Sequence, residues 1–336
     1  MINLSETRDL SLIADSWWDA FKVFLFEKKE GKNRPYFIYK GHRVYGDSVK
    51  CKLKKQAQLQ LTENSRTIAL SILEYFFKNC ESIILCPPQE LHLEAIKYLN
   101  LLRNGCTSKS EYEIVNGFCT NVFTWLYETF NSFQGYKTLG MLNVRSCPFC
   151  NRQYVITSIE ARIRPDFDHF LPKSRYPLLA VSFYNLIPIC STCNKKKGNR
   201  MIRSNPYKDS LNAVFHVHKV GDPSVSSLAE LSKLKENELY ISLPTNSKDR
   251  KDNALVLGLE PVYNAHRYYV DSLIAKIYAY DRHARTTLVN DFSSSGSTEK
   301  DVLDFVWGPY FERSRQEEMP LSKLTADLLK QFDIIP

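Results

Sequence analysis

Two Cys-x-x-Cys pairs restrict the fold of this chain more than any other feature of its sequence. They are Cys147 with Cys150 and Cys190 with Cys193, and 39 residues separate Cys150 from Cys190. Each pair places two thiolates on one tight turn, and two such turns form a tetrahedral site that suits zinc. Because four ligands leave no open position, we expect a structural zinc ion. The intervening residues must then form a substructure that returns the chain to its starting point.

The other five cysteines show no metal-ligand spacing, and we interpret them as ordinary thiols. They are Cys51, Cys80, Cys86, Cys106 and Cys119. A basic, apolar leader is missing from the first residues, and no run of 18 or more apolar residues occurs. We therefore expect a soluble, cytoplasmic protein without a membrane span.

The net charge of +8 is concentrated in one part of the chain. Residues 145–208 contain twelve Lys or Arg residues and three Asp or Glu residues, whereas the rest of the chain is close to neutral. Such a local excess attracts polyanions, and the neutralisation of phosphates is the usual source of affinity for nucleic acids. A solvated basic face is the plainer interpretation, but the charge coincides with the cysteine pairs.

Apolar residues at helical spacing predict that residues 1–140 are mainly helical. The predicted helices are Leu10–Glu27, Ile68–Phe77, Glu90–Leu102 and Val115–Phe130. Alternating aromatic and aliphatic residues around Gly41 instead predict a short hairpin within Arg34–Val49.

Turn residues and short apolar runs replace the helical pattern in the middle of the chain. We define three regions: helical residues 1–140, a central module at 141–210 and a C-terminal region at 211–336. The polar segment Ser204–Asn253 predicts an irregular or partly ordered connection. Helices are expected at Tyr263–Tyr280 and from Pro320 onwards.

Four polar residues lie between or beside the cysteine pairs: Asp168, His169, Asn185 and Asn194. Each alone has an ordinary interpretation, such as a buried histidine, a turn asparagine or a helix N-cap. Together they supply one carboxylate, one imidazole and two amides. This set suits a single hard divalent cation with a neutral imidazole as base.

These residues form a pattern that resembles a known family. Cys-x-x-Cys, Asp-His-x-x-Pro-x-Ser, Asn-Leu-x-Pro and Cys-x-x-Cys-Asn-x-x-Lys-Gly follow one another from Cys147 to Gly198. The pattern is similar to HNH nucleases of the ββα-metal, or His-Me finger, superfamily. The resemblance implies an α+β protein, mostly helical, with a central hairpin and helix. We expect the hairpin to pair Gln153–Ile159 with Arg164–His169, and the helix to begin near Thr192.

The resemblance also implies a role for each residue of the set. His169 would be the general base that activates the attacking water. Asp168 and Asn194 would be the protein ligands of a catalytic Mg²⁺ or Mn²⁺. Asn185 would brace the loop that carries the histidine. We interpret Asp166 as a strand-end residue and not as a further ligand.

Two lysines near the motif, Lys173 and Lys197, are candidates for binding phosphate, although both are equally well explained as exposed residues. Further along, Leu257–Arg267 resembles the helical tail of Septu-type and retron-associated HNH proteins, which work beside an ATPase. Because the chain contains no Gly-x-x-x-x-Gly-Lys-Ser/Thr motif, any nucleotide control would come from such a partner. The helical residues 1–140 are then the candidate region for docking or regulation.

These observations favour a metal-dependent endonuclease that acts on DNA, with a function in anti-phage defence. Two alternatives stay open. One is an RNA nuclease, such as a tRNA-cutting enzyme, because a metal and a base can attack either backbone. The other is a zinc-knuckle subunit that binds nucleic acid with a degenerate active site.

Overall fold

The architecture is seen in a computed structural model of the chain. It describes residues 2–26, 36–39, 42–45, 60–209, 213–244, 252–280, 282–293, 296–308 and 315–335, together with a few positions between 49 and 58. The helices are α1 (Leu10–Phe26), α2 (Glu63–Lys78), α3 (Cys80–Ile84), α4 (Leu91–Gly105), α5 (Lys109–Leu142), α6 (Ser191–Lys197), α7 (Leu228–Leu231), α8 (Asn253–Leu257), α9 (Leu259–Tyr263), α10 (Arg267–Ala279), α11 (Arg282–Ser293), α12 (Glu299–Trp307) and α13 (Ser322–Gln331). Short 3-10 turns lie at Leu4–Glu6, Pro177–Leu179, Phe183–Asn185, Glu236–Glu238 and Asn264–His266.

In the part of the chain that the structure describes, six short strands form three antiparallel hairpins. The strands are β1 (Tyr36–Tyr39), β2 (His42–Tyr45), β3 (Asp166–His169), β4 (Leu186–Ile189), β5 (His216–Lys219) and β6 (Leu239–Ser242). The predicted mostly helical α+β class is confirmed. So is the hairpin within Arg34–Val49, although Gly41 lies outside the described residues.

The N-terminal helices pack around an aromatic core. Trp17 and Phe21 of α1 meet the ring of Phe130 on α5 edge to face, at centroid distances of 4.6 and 4.8 Å. Phe76 of α2 meets Phe123 in the same way at 4.9 Å. Edge-to-face contacts place the positive rim of one ring on the negative face of another, which stabilises such clusters beyond the burial of apolar area. The four helices predicted in this region are confirmed.

Helix α5 is longer than its predicted apolar stripe and enters the central module. It begins where the Ser108 side chain accepts a hydrogen bond from the Glu111 amide, a standard N-cap. It ends at Asn143, which adopts a left-handed conformation. Trp17 also donates to the carbonyl of Val181, so the N-terminal helices and the central module share one buried core.

The central hairpin differs from the prediction. β3 pairs with β4, with Asp168 opposite Ile187 and His169 opposite Leu186. The predicted pairing of Gln153–Ile159 with Arg164–His169 is therefore wrong. β4 is buried along its whole length and leads directly into the second cysteine pair, whereas residues 153–159 expose alternate side chains. The helix expected near Thr192 is confirmed as α6, so the order is strand, strand, helix.

The segment Ser204–Asn253 is more ordered than predicted. It contains β5 and β6, whose Val217 and Ile241 are fully buried. Its polar composition concealed this hairpin, because the pairing exposes one face of each strand to solvent. Two stretches of the segment, 210–212 and 245–251, lie outside the described residues.

The C-terminal helices pack against both the central module and β5. On α13, Asp327 accepts a hydrogen bond from the Phe215 amide, and Gln331 pairs with the Val217 backbone. The helices predicted at Tyr263–Tyr280 and after Pro320 are confirmed as α10 and α13. No helix in the described part of the chain has both the length and the apolar character needed to cross a bilayer.

Candidate active site and zinc site

The four motif cysteines come together as predicted. The sulfurs of Cys147, Cys150, Cys190 and Cys193 all lie within 4.8 Å of one another, and all four residues are buried. The first pair lies on the turn before residue 151, and the second pair lies at the start of α6. Such a cluster matches the chemistry of a closed four-thiolate zinc site.

Backbone donors already point at these sulfurs. The Cys190 amide donates to the sulfur of Cys147 at 3.5 Å, the Arg152 amide to Cys150 at 3.4 Å, and the Cys193 amide to Cys190 at 3.4 Å. N–H donors stabilise thiolates, which are the forms that bind a cation. The residues present therefore fit a structural zinc ion.

The C-terminal region braces the first cysteine turn. Asn151, a buried residue with φ of 48°, donates through its side chain to the carbonyls of Gln316 and Met319. The Tyr263 hydroxyl donates to the carbonyl of Cys150. Residues far apart in sequence thus stabilise the turn that carries Cys147 and Cys150. Nothing in the sequence indicated that Asn151 or Tyr263 would contact this turn.

A cleft of 270 Å³ lies beside the zinc site and is lined by three of the four predicted site residues. Asp168 and His169 enter it from β3, and Asn194 enters it from α6. Lys173 lines the same cleft. Asn185 stands behind it and does not line it.

The His169 imidazole is held in a defined tautomer. Its Nε2 lies 3.0 Å from the carbonyl oxygen of Ala180, and a carbonyl only accepts, so Nε2 carries the proton. Nδ1 is then the nitrogen that can take up a proton. Burial lowers the pKa of His169 to about 3, with a further contribution from the nearby Lys173. The ring is therefore neutral near neutral pH, as a general base requires.

Asp168 is buried and paired on one oxygen only. Its Oδ1 accepts a hydrogen bond from the Lys197 ammonium at 3.0 Å. Its Oδ2 is equally buried, and no donor among the described residues reaches it. Burial raises the pKa of this carboxyl, and Lys197 opposes that shift. An unpaired carboxylate oxygen at a polar cleft fits a cation ligand, because a buried charge without a partner is costly.

Lys197 is not where phosphate binding would require it. Its side chain is fully buried, and its ammonium donates to Asp168 and to the carbonyl of His169 at 2.8 Å. Residues four apart share one face of a helix, so Lys197 follows Cys193 into the interior. The proposed surface role of Lys197 is therefore wrong, and its ammonium instead fixes the Asp168 carboxylate.

Asn194 is oriented by a neighbour that the sequence did not indicate as functional. Its Nδ2 donates to a carboxylate oxygen of Asp166, the first residue of β3, at 3.1 Å. Because a carboxylate only accepts, the amide nitrogen faces Asp166 and the amide oxygen faces away from it. Asp166 does not line the cleft, and its link to the cleft residues is this hydrogen bond to Asn194.

Asn185 braces the loop after His169. Its fully buried amide accepts from the Leu171 amide at 2.7 Å and donates to the carbonyls of Leu171 and Leu179. A fully satisfied buried amide ties the two ends of this loop together. The loop includes Ala180, whose carbonyl oxygen accepts the hydrogen bond from His169 Nε2–H.

Comparison with known proteins agrees with this geometry. The HNH endonuclease family matches residues 147–202, which include both cysteine pairs and the cleft residues of β3 and α6. This chain contains an HNH domain. A stretch of 41 residues is 46% identical to the Septu protein PtuB of Bacillus thuringiensis. This stretch covers 12% of this chain and 16% of PtuB. No solved structure matches the chain.

The N-terminal helices complete one wall of the HNH domain. The Tyr127 ring on α5 meets the His169 ring edge to face at 4.6 Å, and the Lys173 ammonium lies 5.4 Å from the centre of the same ring. Burial lowers the pKa of Lys173. The sequence gives no signal for Tyr127 as a site residue, because it is one of the buried aromatic residues of a helix outside the motif.

The buried ion pair of the HNH domain gives a stability prediction. Lys197→Met leaves the Asp168 charge uncompensated, and Asp168→Asn leaves the ammonium without its counter-charge. Each change should cost about 3–5 kcal/mol, the usual cost of breaking a buried pair. The double variant should recover most of this loss, because both charges are gone.

These losses are measured as changes in the free energy of unfolding in urea. The variants are loaded with zinc, and no Mg²⁺ or Mn²⁺ is added. Lys195→Met, an exposed lysine on the same helix, is the matched control and should unfold like the parent. Losses that simply add in the double variant would contradict the pairing.

Proposed function

We propose that this chain is a metal-dependent endonuclease that hydrolyses phosphodiester bonds in the HNH cleft. One observation carries the proposal: the buried, unpartnered Oδ2 of Asp168 lies in the same cleft as a His169 ring whose Nδ1 is available as a base. A zinc-knuckle subunit that only binds nucleic acid would need neither feature.

In the proposed reaction, Nδ1 of His169 takes the proton from the attacking water. The carbonyl of Ala180 holds Nε2–H and stabilises the positive charge that the ring gains. A divalent cation would be held by Asp168 and Asn194, and would stabilise the charge that develops on the scissile phosphate and the leaving 3′ oxygen. The products would be 5′-phosphate and 3′-hydroxyl ends.

Among the residues that the structure describes, Lys173 is the one lysine or arginine that lines the cleft. It is half-buried over the Tyr127 ring and can approach one phosphate oxygen. Together with the basic residues of 145–208, it supports a nucleic-acid substrate. DNA is the substrate that we favour, as in the family that the motif resembles, and RNA is the alternative.

The experiment that tests this proposal compares two substrates. Purified full-length chain, loaded with zinc, is incubated with supercoiled plasmid or with tRNA, with Mg²⁺ or Mn²⁺ and without added divalent cation. We expect nicking of the plasmid that depends on the added cation. Cleavage of tRNA alone would favour the RNA alternative, and cation-independent products would contradict the proposed site.

Asp166 and Asn194 give a prediction about cation dependence. Asp166→Ala frees the Asn194 amide to rotate, so the Mg²⁺ concentration for half-maximal cleavage should rise about tenfold or more, as for other residues that orient metal ligands. The rate at saturating Mg²⁺ should change little. Asn194→Ala should raise the Mg²⁺ requirement further.

Glu160→Ala is the matched control, because it removes one exposed acidic side chain from the same module. Zinc content should stay constant in all three variants. If Glu160→Ala and Asp166→Ala raise the Mg²⁺ concentration for half-maximal cleavage equally, the change in net charge explains the effect. That result would contradict the orienting role of Asp166.

We also propose that the chain acts in the cytoplasm in anti-phage defence, with an ATPase as partner. The support is its resemblance to Septu-type HNH proteins and its similarity to a stretch of PtuB. Co-purification of the full-length chain with an ATPase, and cleavage that changes when that ATPase is added, would test this part independently of the chemistry.

A further inference from the structure

Residues 154–163 form a small projection next to the zinc site, and the chain reverses within it. We name these residues the apolar finger. Ser158 and Ile163 form a bridge through two backbone hydrogen bonds. Between them the chain turns sharply, and Arg162 adopts φ of 53°. The Tyr136 hydroxyl on α5 donates to the Arg162 carbonyl at 2.8 Å. The apolar finger is therefore a defined projection held from two sides.

Large apolar side chains of the apolar finger are directed to solvent. Their exposed fractions are 56% for Tyr154, 55% for Ile156, 66% for Ile159 and 61% for Ile163. Below them lies a groove of 320 Å³, lined among others by Val155, Pro165 and Ile189. A cluster of exposed apolar side chains beside an apolar groove indicates a surface that something else covers.

The groove adjoins the cleavage cleft. Asp166 lines the groove and bonds Asn194, which lines the cleft. Asp166 and Asp168 are two residues apart on β3, which corresponds to about 7 Å at the rise of an extended strand. Successive base pairs are 3.4 Å apart, so the groove lies about two base-pair steps from the cation ligand.

The charges around the apolar finger favour a polyanion over a protein as its partner. Five basic residues occur in the apolar finger and in the segments next to it, namely Arg152, Arg162, Arg164, Lys195 and Lys196. Only Glu160 and Asp166 oppose them there, and Asp166 is already bonded to Asn194.

We propose that the apolar finger inserts between bases next to the scissile phosphate, so that this chain prefers nucleic acid with unpaired or distorted bases to perfect duplex. The inference rests on the proposed function and adds a substrate class to it. Aliphatic side chains cannot read base edges through hydrogen bonds. They act as wedges against unstacked bases, while a tyrosine ring stacks on one. The free-energy cost of unstacking is lowest for a base that is already unpaired.

Binding, measured apart from cleavage, tests this. His169→Ala protein, zinc-loaded and full-length, is titrated with a labelled duplex and with the same duplex carrying a central bubble of unpaired bases. We expect tighter binding to the bubble. Adding Tyr154→Ala should weaken bubble binding by about 5- to 150-fold, the range for removing one stacked aromatic. The salt dependence should stay the same, because no phosphate contact is lost.

Ile159→Ser is a second variant, at the exposed tip of the apolar finger, where a substitution does not disturb packing near the zinc site. It should also weaken bubble binding. Leu93→Ala, an apolar residue on α4 with 59% exposure, is the control and should bind like its parent. No preference for the bubble, or unchanged bubble binding in both finger variants, would overturn the inference. Lost association with a protein partner, with bubble binding unchanged, would overturn it as well. Failure of cleavage with the bubble preference intact would count against the proposed function alone.

Discussion

His169→Ala should lower the rate of cleavage by a factor of about 10² to 10⁴, the usual contribution of a general base. The residue is buried between the Tyr127 ring and the Ala180 carbonyl, and no other imidazole among the described residues lines the cleft. Single-turnover cleavage of plasmid at saturating Mg²⁺ measures the loss.

The control for this experiment is His216→Ala, which removes an exposed histidine from β5. It should cleave like the parent, and both variants should keep their zinc. If His169→Ala cuts as fast as the parent, His169 is not the base, whatever the cleft geometry suggests.

Cys190→Ser should have the largest effect on stability. The Cys190 sulfur belongs to the four-thiolate cluster, and it also accepts the Cys193 amide at the start of α6. Structural zinc in small domains contributes about 10–16 kcal/mol of apparent binding free energy. Loss of the ion should therefore unfold the region from the first cysteine turn to α6. Zinc content by atomic absorption should fall from one ion per chain to none.

Cys80→Ser is the matched control, because Cys80 is equally buried but lies on α3, away from the cluster. It should keep its zinc and lose little stability. Cys190→Ser protein with unchanged zinc content would contradict the structural-zinc assignment.

The sequence sufficed to locate the site because its signals were local. Two cysteine pairs, an Asp-His dipeptide and two asparagines carry fixed spacings, and the fold brings Asp168, His169 and Asn194 to one cleft. Their chemical roles stay predictions until the variants are measured.

What the sequence did not reveal depends on tertiary packing. Tyr127 reads as one more core residue of α5, and nothing in its helix indicates that a histidine 42 positions later will lie against it. The resemblance implied Gln153–Ile159 as the partner of β3, whereas β3 pairs with β4, the buried strand that leads into the second cysteine pair. The pairing of strands that are far apart in sequence depends on tertiary packing and not on local propensity.

Lys197 shows a signal that was present but overlooked. Lys197 is the last of three consecutive lysines on α6, and helical spacing places it on a different face from the other two. Lys195 and Lys196 face solvent, and Lys197 shares the inward face of Cys193. A helical projection of the last motif would have predicted a buried ammonium, and with it a buried carboxylate as partner.

The most direct test of the central claim is anomalous diffraction from crystals of the full-length chain grown with Mn²⁺. We expect a zinc peak among the four cysteine sulfurs, and a separate manganese peak in contact with Asp168 and Asn194, in the cleft that contains His169. Manganese bound elsewhere, or a cleft that takes up none, would contradict the claim that these side chains form one cutting site.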